Sequence, residues 1–396
     1  MDHLDLNLEL NIKKNIMPID IRSIRRIVSS YDINEITIGV LGSHSALELG
    51  MSARAMGVQT VVIVQEGRDE IYSVDHSHLY DHVIKVKMFK DILESDVQEK
   101  LRSLNTIFVP NRSFSVYVGY EGIENHFEVP MYGNRFMLRC EDRQDEKGQY
   151  YLLKRAGIRV PIEFKSPEEI SRLSIVKVQR ADNPLERAFF YPDSTQEYYK
   201  KVEEYKEKGL LNEEVLKKAR IEEYVLGSRF NANFHRYALS DIYGELDLVG
   251  LSDRRQINLQ GFLNLPAREQ LKIDFPVTNE EIGHYGLTIR ESKQPLLWDA
   301  AKKFVKIAEE EYPPGIIGLF GLQGAIAYNP EDRKLLEFVV FDLSPRIPGD
   351  PAIGPTSPEM RNLSLKHGIR IEDPLDLTVM EIQRAAKDNR LEDVVT

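Results

Sequence analysis

The chain predicts an α/β domain followed by an α+β region, and three observations carry that prediction. In the first third, short apolar runs alternate with helical segments, the pattern that builds a parallel doubly wound sheet. From about residue 220 onward, apolar segments pair across turn-forming residues, as antiparallel hairpins do. The length of 396 residues and the 42% hydrophobic content supply core for two or three domains.

In order, residues 21–30 read as a basic helix and 35–41 as a strand. A helix over 45–56 follows and stops at Gly57, whose missing Cβ suits a left-handed helix end. Strands at 60–64, 83–86 and 106–110, with a helix over 90–103 between the last two, complete the first domain. Beyond it lie a helix over 147–156 closed by Gly157, a strand over 174–178 carrying Lys177, and helices over 196–208 and 212–219. Residues 221–226 read as extended, and 230–238 pair with 245–251 across Asp241-Ile242-Tyr243-Gly244. After a helix over 296–311, segments 318–328 and 335–343 form a second hairpin across Asn329-Pro330-Glu331-Asp332. The Pro- and Gly-rich stretch 345–358 reads as a long loop.

Composition excludes several functions. Lys and Arg number 52 against 63 Asp and Glu, a net charge of -11, which argues against a nucleic-acid or anionic-membrane surface. The single cysteine, Cys140, rules out an intramolecular disulfide and a cysteine-ligated zinc site, which fits a reducing compartment. The first residues lack a basic stretch and the apolar run of a signal peptide, and no segment approaches the roughly 18 apolar residues of a membrane span. A cytoplasmic location is therefore expected.

Four segments carry side chains suited to chemistry. In IGVLGSHSALE (38–48) an apolar run turns at Gly-Ser-His-Ser into a helix, whose first N–H groups and positive dipole end favour a phosphate or carboxylate. His44 would face that anion; equally, Ser43 or Ser45 merely caps the helix and His44 bonds locally. The strand ending in VPNRSF (109–114) brings Arg112 and Ser113 to the same edge of the sheet, where ligands gather in open parallel sheets. In IEEYVLG (221–227) backbone groups around Val225 could meet an adenine edge with Glu222 accepting from the exocyclic amine; the alternative is an edge strand with solvated glutamates. In FVVFDLSPR (338–346) Asp342, with Gln323 on the preceding strand, suits Mg²⁺ completed by phosphates, while an Asp342–Arg346 ion pair explains the run as well.

Taken in order, LGSHSALELG (41–50), VPNRSF (109–114), VPMYGNRFMLR (129–139), LLKRAGIRVP (152–161), IVK (175–177), IEEYVLG (221–227), NLPAREQL (264–271), IRES (289–292) and EFVVFDLSPR (337–346) resemble the archaeal formate-dependent FAICAR synthetases. These ATP-grasp ligases join formate to the amine of 5-aminoimidazole-4-carboxamide ribonucleotide (AICAR ribonucleotide). The resemblance implies an ATP-grasp fold with an amino-terminal Rossmann-like domain. It also implies four segments: an extension (1–30), a pre-ATP-grasp domain (31–145), and small (146–227) and carboxyl-terminal (228–396) ATP-grasp subdomains. It implies that His44, Ser113 and Asn258 bind the ribonucleotide, that Lys177, Glu222, Glu223 and Val225 line an ATP site, that Gln323 and Asp342 hold Mg²⁺, and that Arg346 stabilises the transferring phosphoryl group; Arg112, a cation the family lacks, would add a substrate contact near the acceptor site. A homo-oligomer, trimer or hexamer, is implied too.

The sequence departs from the family pattern around the ATP phosphates. Residues 177–190 contain no glycine where the family has a glycine-rich loop, and Tyr151 stands where it has a lysine, with Lys154 one turn away. Asp342 replaces a glutamate, Ile347-Pro348-Gly349-Asp350-Pro351-Ala352 replaces an Asn-containing loop, and Asn111-Arg112 replaces His-Gly. The expected function is ATP-dependent formylation of AICAR ribonucleotide. The alternatives are a catalytically impaired paralogue that binds a purine-pathway nucleotide, or a ligase that takes a different carboxylate.

Overall fold

A computed structural model describes residues 18–142, 145–179, 187–256, 261–273, 281–348 and 358–396. The chain forms two compact units, residues 1–156 with 230–323 and 342–396, and residues 157–229 with 324–341. The strands are β1 (Thr37–Leu41), β2 (Gln59–Gln65), β3 (His82–Val86), β4 (Thr106–Phe108), β5 (Glu163–Phe164), β6 (Ser174–Gln179), β7 (Arg187–Phe190), β8 (Arg220–Glu223), β9 (Ser228–Arg236), β10 (Leu246–Gln256), β11 (Glu281–Gly286), β12 (Gly318–Tyr328) and β13 (Leu336–Ser344). The main helices are α1 (Ile21–Val28), α2 (Ala46–Ala55), α3 (Ser95–Ser103), α4 (Arg112–Val118), α5 (Tyr120–Asn125), α6 (Gln149–Arg155), α7 (Thr195–Glu207), α8 (Gln294–Glu311), α9 (Pro358–His367) and α10 (Pro374–Lys387).

In the first unit a four-stranded sheet has the order β3-β2-β1-β4, and every pairing is parallel. All five residues of β1 are buried, as befits a parallel strand covered on both faces. One core, with Val40, Val62 and Val64 at its sheet, includes Ile24 and Val28 of α1 and Leu377 and Ile382 of α10. Residues 18–30 are therefore an integral layer of this unit; residues 1–17 lie outside the described residues. The opposite face carries a second core built around Phe108, Phe114 and Phe127, whose rings meet at 4.6–5.1 Å.

Strands β9 to β13 make a five-stranded sheet in the order β11-β10-β9-β12-β13, within which β12 and β13 each run from one unit into the other. The expected hairpin of 230–238 with 245–251 is present as β9 and β10, with a helical turn at Ser240–Tyr243 in place of a simple turn. In the second unit β5-β8-β6-β7 form an antiparallel sheet over a core of Val176, Val178, Phe190, Tyr198 and Ile221. Strand β6 turns back as β7, with Lys177 opposite Phe189. The glycine-free connection at 180–186 lies outside the described residues.

One expectation needs correction. The helix expected over 90–103 is broken, because Glu94 is extended (φ -68, ψ 143) and separates a 3-10 turn at Phe89–Leu93 from α3. The opening stretch of the first unit runs to residue 156, and within it α6 packs on α8: Lys147 and Arg155 both pair with Glu311, and the Tyr151 hydroxyl donates to it at 3.2 Å. Tyr151 is thus part of a structural cluster.

A buried polar network ties the sheets of the first unit together. The Tyr132 hydroxyl donates to Glu381 Oε2 at 2.5 Å and lies 3.3 Å from His235 Nε2, while the Leu239 amide donates to Glu381 Oε1. Burial raises the Glu381 carboxyl to about 7 and lowers His235 to about 3. A carboxyl raised on folding contributes stability that is full below its ordinary pKa and is lost as pH rises through about 7. His235 works in the opposite sense, losing its contribution as pH falls through about 3, so the wild-type profile alone does not isolate either group. Glu381→Gln, uncharged throughout, should therefore gain in thermal midpoint relative to wild type as pH rises from about 5 to 8. Midpoints that run parallel over that range would show that Glu381 does not titrate as its burial requires.

Candidate functional site at the carboxyl ends of β1 and β4

In a sheet ordered β3-β2-β1-β4, chain direction of travel reverses between β1 and β4, and open α/β sheets bind ligands beyond the strand ends at that switch point. The two polar turns singled out in the sequence lie at those two strand ends. Gly42, following β1, donates its amide to Ile63 O at 2.7 Å. A Cβ there would stand 2.9 Å from Val64 Cγ1 and 3.0 Å from Ile63 O, so only glycine lets the turn lie so close to β2.

The next residues form a strained corner. Ser45 adopts the left-handed region (φ 62, ψ 14) and gives α2 no side-chain cap, so the helix begins with backbone groups alone. Capping by Ser45 is thereby excluded, and Ser43 is otherwise engaged: Ser113 Oγ donates to Ser43 Oγ at 2.7 Å. His44 between them is partly exposed and stands outside the packed core. Tyr80 donates to Ala46 O at 2.8 Å and fixes the start of α2. One feature opposes an anion here, the Glu48 carboxylate in the first turn, which acts on Tyr72 and Tyr80.

The link between the strand ends is Asn111, which sequence reading treated only as a departure. Its side chain is 1% exposed; Nδ2 donates to Leu41 O at 2.9 Å, and Oδ1 accepts from the Phe114 amide at 3.1 Å, capping α4. An Asn immediately before a helical stretch was the available signal. Arg112, with its side chain 55% exposed, turns to Glu141 at 2.8 Å. Glu141 also takes Arg346, so the ion pair of Arg346 is with Glu141. Burial, with the Glu141 charge next in weight, pushes the neighbouring Tyr120 hydroxyl up to about 12. Nothing in the sequence singled out Glu141.

The expected metal ligands lie on neighbouring strands of the same unit, Gln323 on β12 and Asp342 on β13. Gln323 Oε1 accepts from Arg254 Nη2 at 2.7 Å. These are hard oxygen donors of the kind Mg²⁺ takes, and a carbonyl oxygen retains a second lone pair while accepting one bond. Among the described residues no group of three or more His, Cys, Asp or Glu could hold a metal, so the donor set fits only an ion whose shell is completed by phosphate oxygens and water. Asn258 lies outside the described residues.

In the second unit Lys177 Nζ lies 2.5 Å from Glu222 Oε2, and the Glu222 side chain is 1% exposed. Adjacent strand residues face opposite ways, and Glu223 turns to Arg159 at 2.8 Å instead. The expectation of solvated glutamates on an edge strand fails, since β8 lies between β5 and β6 and both glutamates are buried ion-pair members. Val225 follows, its carbonyl taking the Gly227 amide at 3.1 Å.

Comparison with known proteins agrees with this architecture. Residues 197–396 match a family model described as a domain of unknown function (DUF1297), and residues 38–164 match another described as a protein of unknown function (DUF1246). A relative from Methanocaldococcus jannaschii is 40% identical over 326 residues, covering 82% of this chain and 86% of its own. One from Methanothermobacter thermautotrophicus is 35% identical over 373 residues, covering 93% and 97%. Both are named 5-formaminoimidazole-4-carboxamide-1-(beta)-D-ribofuranosyl 5'-monophosphate synthetase. This chain belongs to that family.

Family membership is matched at the level of fold. The IMP biosynthesis protein PurP from Thermococcus kodakaraensis superposes with a TM-score of 0.64 at 24% identity, covering 91% of this chain and all of that one. N5-carboxyaminoimidazole synthetase from Staphylococcus aureus gives 0.51 at 14% identity, covering 88% and 77%. The fold of this family member is the ATP-grasp fold. Among the described residues no helix is long and apolar enough to cross a membrane.

Replacing Asn111 by Ala removes a helix cap and leaves Leu41 O without its partner. Urea unfolding should show a loss of about 1–3 kcal/mol, the range for a lost cap plus a buried unsatisfied group. A change below about 0.5 kcal/mol, the level of an ordinary surface substitution, would mean that Asn111 does not couple the strand ends.

Proposed function

We propose that this chain is an ATP-dependent ligase that formylates AICAR ribonucleotide with formate, giving the product that its relatives' name carries. The single observation that supports it most is the meeting of Ser43 and Ser113 at the switch point, beside His44 and the uncapped start of α2. Hydroxyls, an imidazole and a helix start without a side-chain cap together suit the phosphate of a ribonucleotide.

In this reading a formate oxygen attacks the γ-phosphorus of ATP and ADP leaves, giving formyl phosphate. The ribonucleotide amine then attacks the formyl carbon, phosphate leaves, and the amine gives up a proton. Phosphoryl transfer depends on positioning and charge stabilisation, and the residues supply both. His44 and Ser113 orient the ribonucleotide, with Asn258 assigned the same role by resemblance. Lys177, held in place by Glu222, neutralises phosphate charge, and Val225 offers backbone groups to the adenine. Glu223 fixes this strand through Arg159. Arg346 stabilises the transferring group. Gln323 and Asp342 would hold Mg²⁺, which when bound offsets charge on the phosphate oxygens.

The run 177–190 without glycine favours one second reading, a relative that keeps the ribonucleotide site and has lost ATP turnover. Calorimetric titration with AICAR ribonucleotide and with Mg²⁺-ATP, followed by an assay for formylated product with formate, tests both. The ligase reading expects both ligands to bind and product to form. His44→Ala and Ser113→Ala should each weaken ribonucleotide binding about 10-fold, the equivalent of one good polar contact. Ribonucleotide binding without ATP binding would overturn the ligase reading in favour of the second; no ribonucleotide binding would overturn both.

A further inference from the structure

Arg346 is a buried cation of the first unit. Its side chain is 2% exposed, Nη1 donates to Ile347 O at 2.7 Å, and Nη2 pairs with Glu141. Its Nε is buried with no hydrogen-bond partner. A buried guanidinium N–H without an acceptor is costly, and such groups persist where an absent anion completes them or where the surroundings enforce them.

The surroundings do enforce this one. Glu141 ends the 3-10 segment Arg135–Glu141, which is anchored at its start by the fully buried Arg135 donating to the carbonyls of Ile123, Phe127 and Val129. Arg139, midway, makes two bonds of 2.6 Å to Glu124. The main chain at Glu141 is tied to Gln149 at 3.4 Å, and Gln149 Oε1 accepts from the Leu343 amide at 2.7 Å, three residues before Arg346. Carboxylate and guanidinium are thus fixed to one frame from both sides. The same Glu141 oxygen takes the exposed Arg112, whose neighbour Ser113 bonds Ser43. One carboxylate oxygen thus stands between two guanidiniums, one buried and one exposed.

We propose that Glu141 is a positioning residue for the ligase reaction: it orients the buried guanidinium of Arg346 toward an anionic reacting group and links that guanidinium to the ribonucleotide corner through Arg112. The inference rests on the ligase reading above. It assigns Glu141 an effect on turnover exerted through Arg346, with ribonucleotide affinity set elsewhere, by His44 and Ser113.

The test measures product formation by the full chain with ATP, Mg²⁺, formate and AICAR ribonucleotide, for wild type, Glu141→Gln, Arg346→Lys and the double variant. Thermal midpoints and calorimetric ribonucleotide affinity are measured on the same samples. Glu141→Gln keeps the shape and loses the charge, and it should lower kcat 10- to 100-fold while ribonucleotide Kd changes less than about 3-fold. In the double variant the loss should not exceed that of Arg346→Lys alone, because both changes remove one unit. Glu141→Asp, which keeps the charge one methylene short, should lower kcat with an unchanged midpoint and serves if the Gln variant does not fold. Unaltered kcat in Glu141→Gln, or losses that multiply in the double variant, would overturn the positioning role while wild-type turnover upheld the ligase reading. A wild type that forms no product would remove the ligase reading itself, and this inference with it.

Discussion

A single buried carboxamide governs the geometry on which the candidate site stands. Asn111 accepts from the first turn of α4 and donates to the last carbonyl of β1, so the end of one strand and the start of the helix after its neighbour are set against each other. With both bonds made in an apolar surrounding, neither end shifts without leaving a buried polar group unsatisfied. The Ser43–Ser113 contact depends on that registration, and so does the placing of His44 beside α2. Asn111 is therefore the residue that holds this corner together.

Three carboxylates among the described residues are each matched by a cation. Glu222 meets Lys177 across the pairing of β8 with β6, Glu223 meets Arg159, and Glu141 meets Arg346. Such pairs contribute little net stability once desolvation is counted, but breaking one leaves an uncompensated charge. In the proposed reaction they would hold a cation's direction, which phosphoryl transfer requires more than it requires any covalent step from the protein.

Much of the fold was legible because its signals are local. The runs at 35–41, 60–64 and 106–110 are apolar enough to announce buried parallel strands, and the β9–β10 and β12–β13 pairs announce themselves by their turns. Helices α4 and α5 were missed because their apolar faces merge with the preceding strand and only Asn111 marks the boundary. The packing of α6 on α8 was not legible, because it rests on long-range contact, Glu311 with Lys147 and Arg155, which no window of sequence contains. At the candidate site, the closeness of Ser43 and Ser113 was foreseeable from their strand ends, whereas the pairing of Glu141 was not, since its partner Arg346 lies more than two hundred residues away.

Amide hydrogen exchange with and without AICAR ribonucleotide measures the central claim most directly, since it reads the corner's backbone in the intact chain. Slower exchange is expected on ligand addition in peptides spanning residues 42–48 and 111–115, where the two polar strand ends would meet the phosphate. Protection confined to other segments, with these two unchanged at saturating ligand, would contradict it.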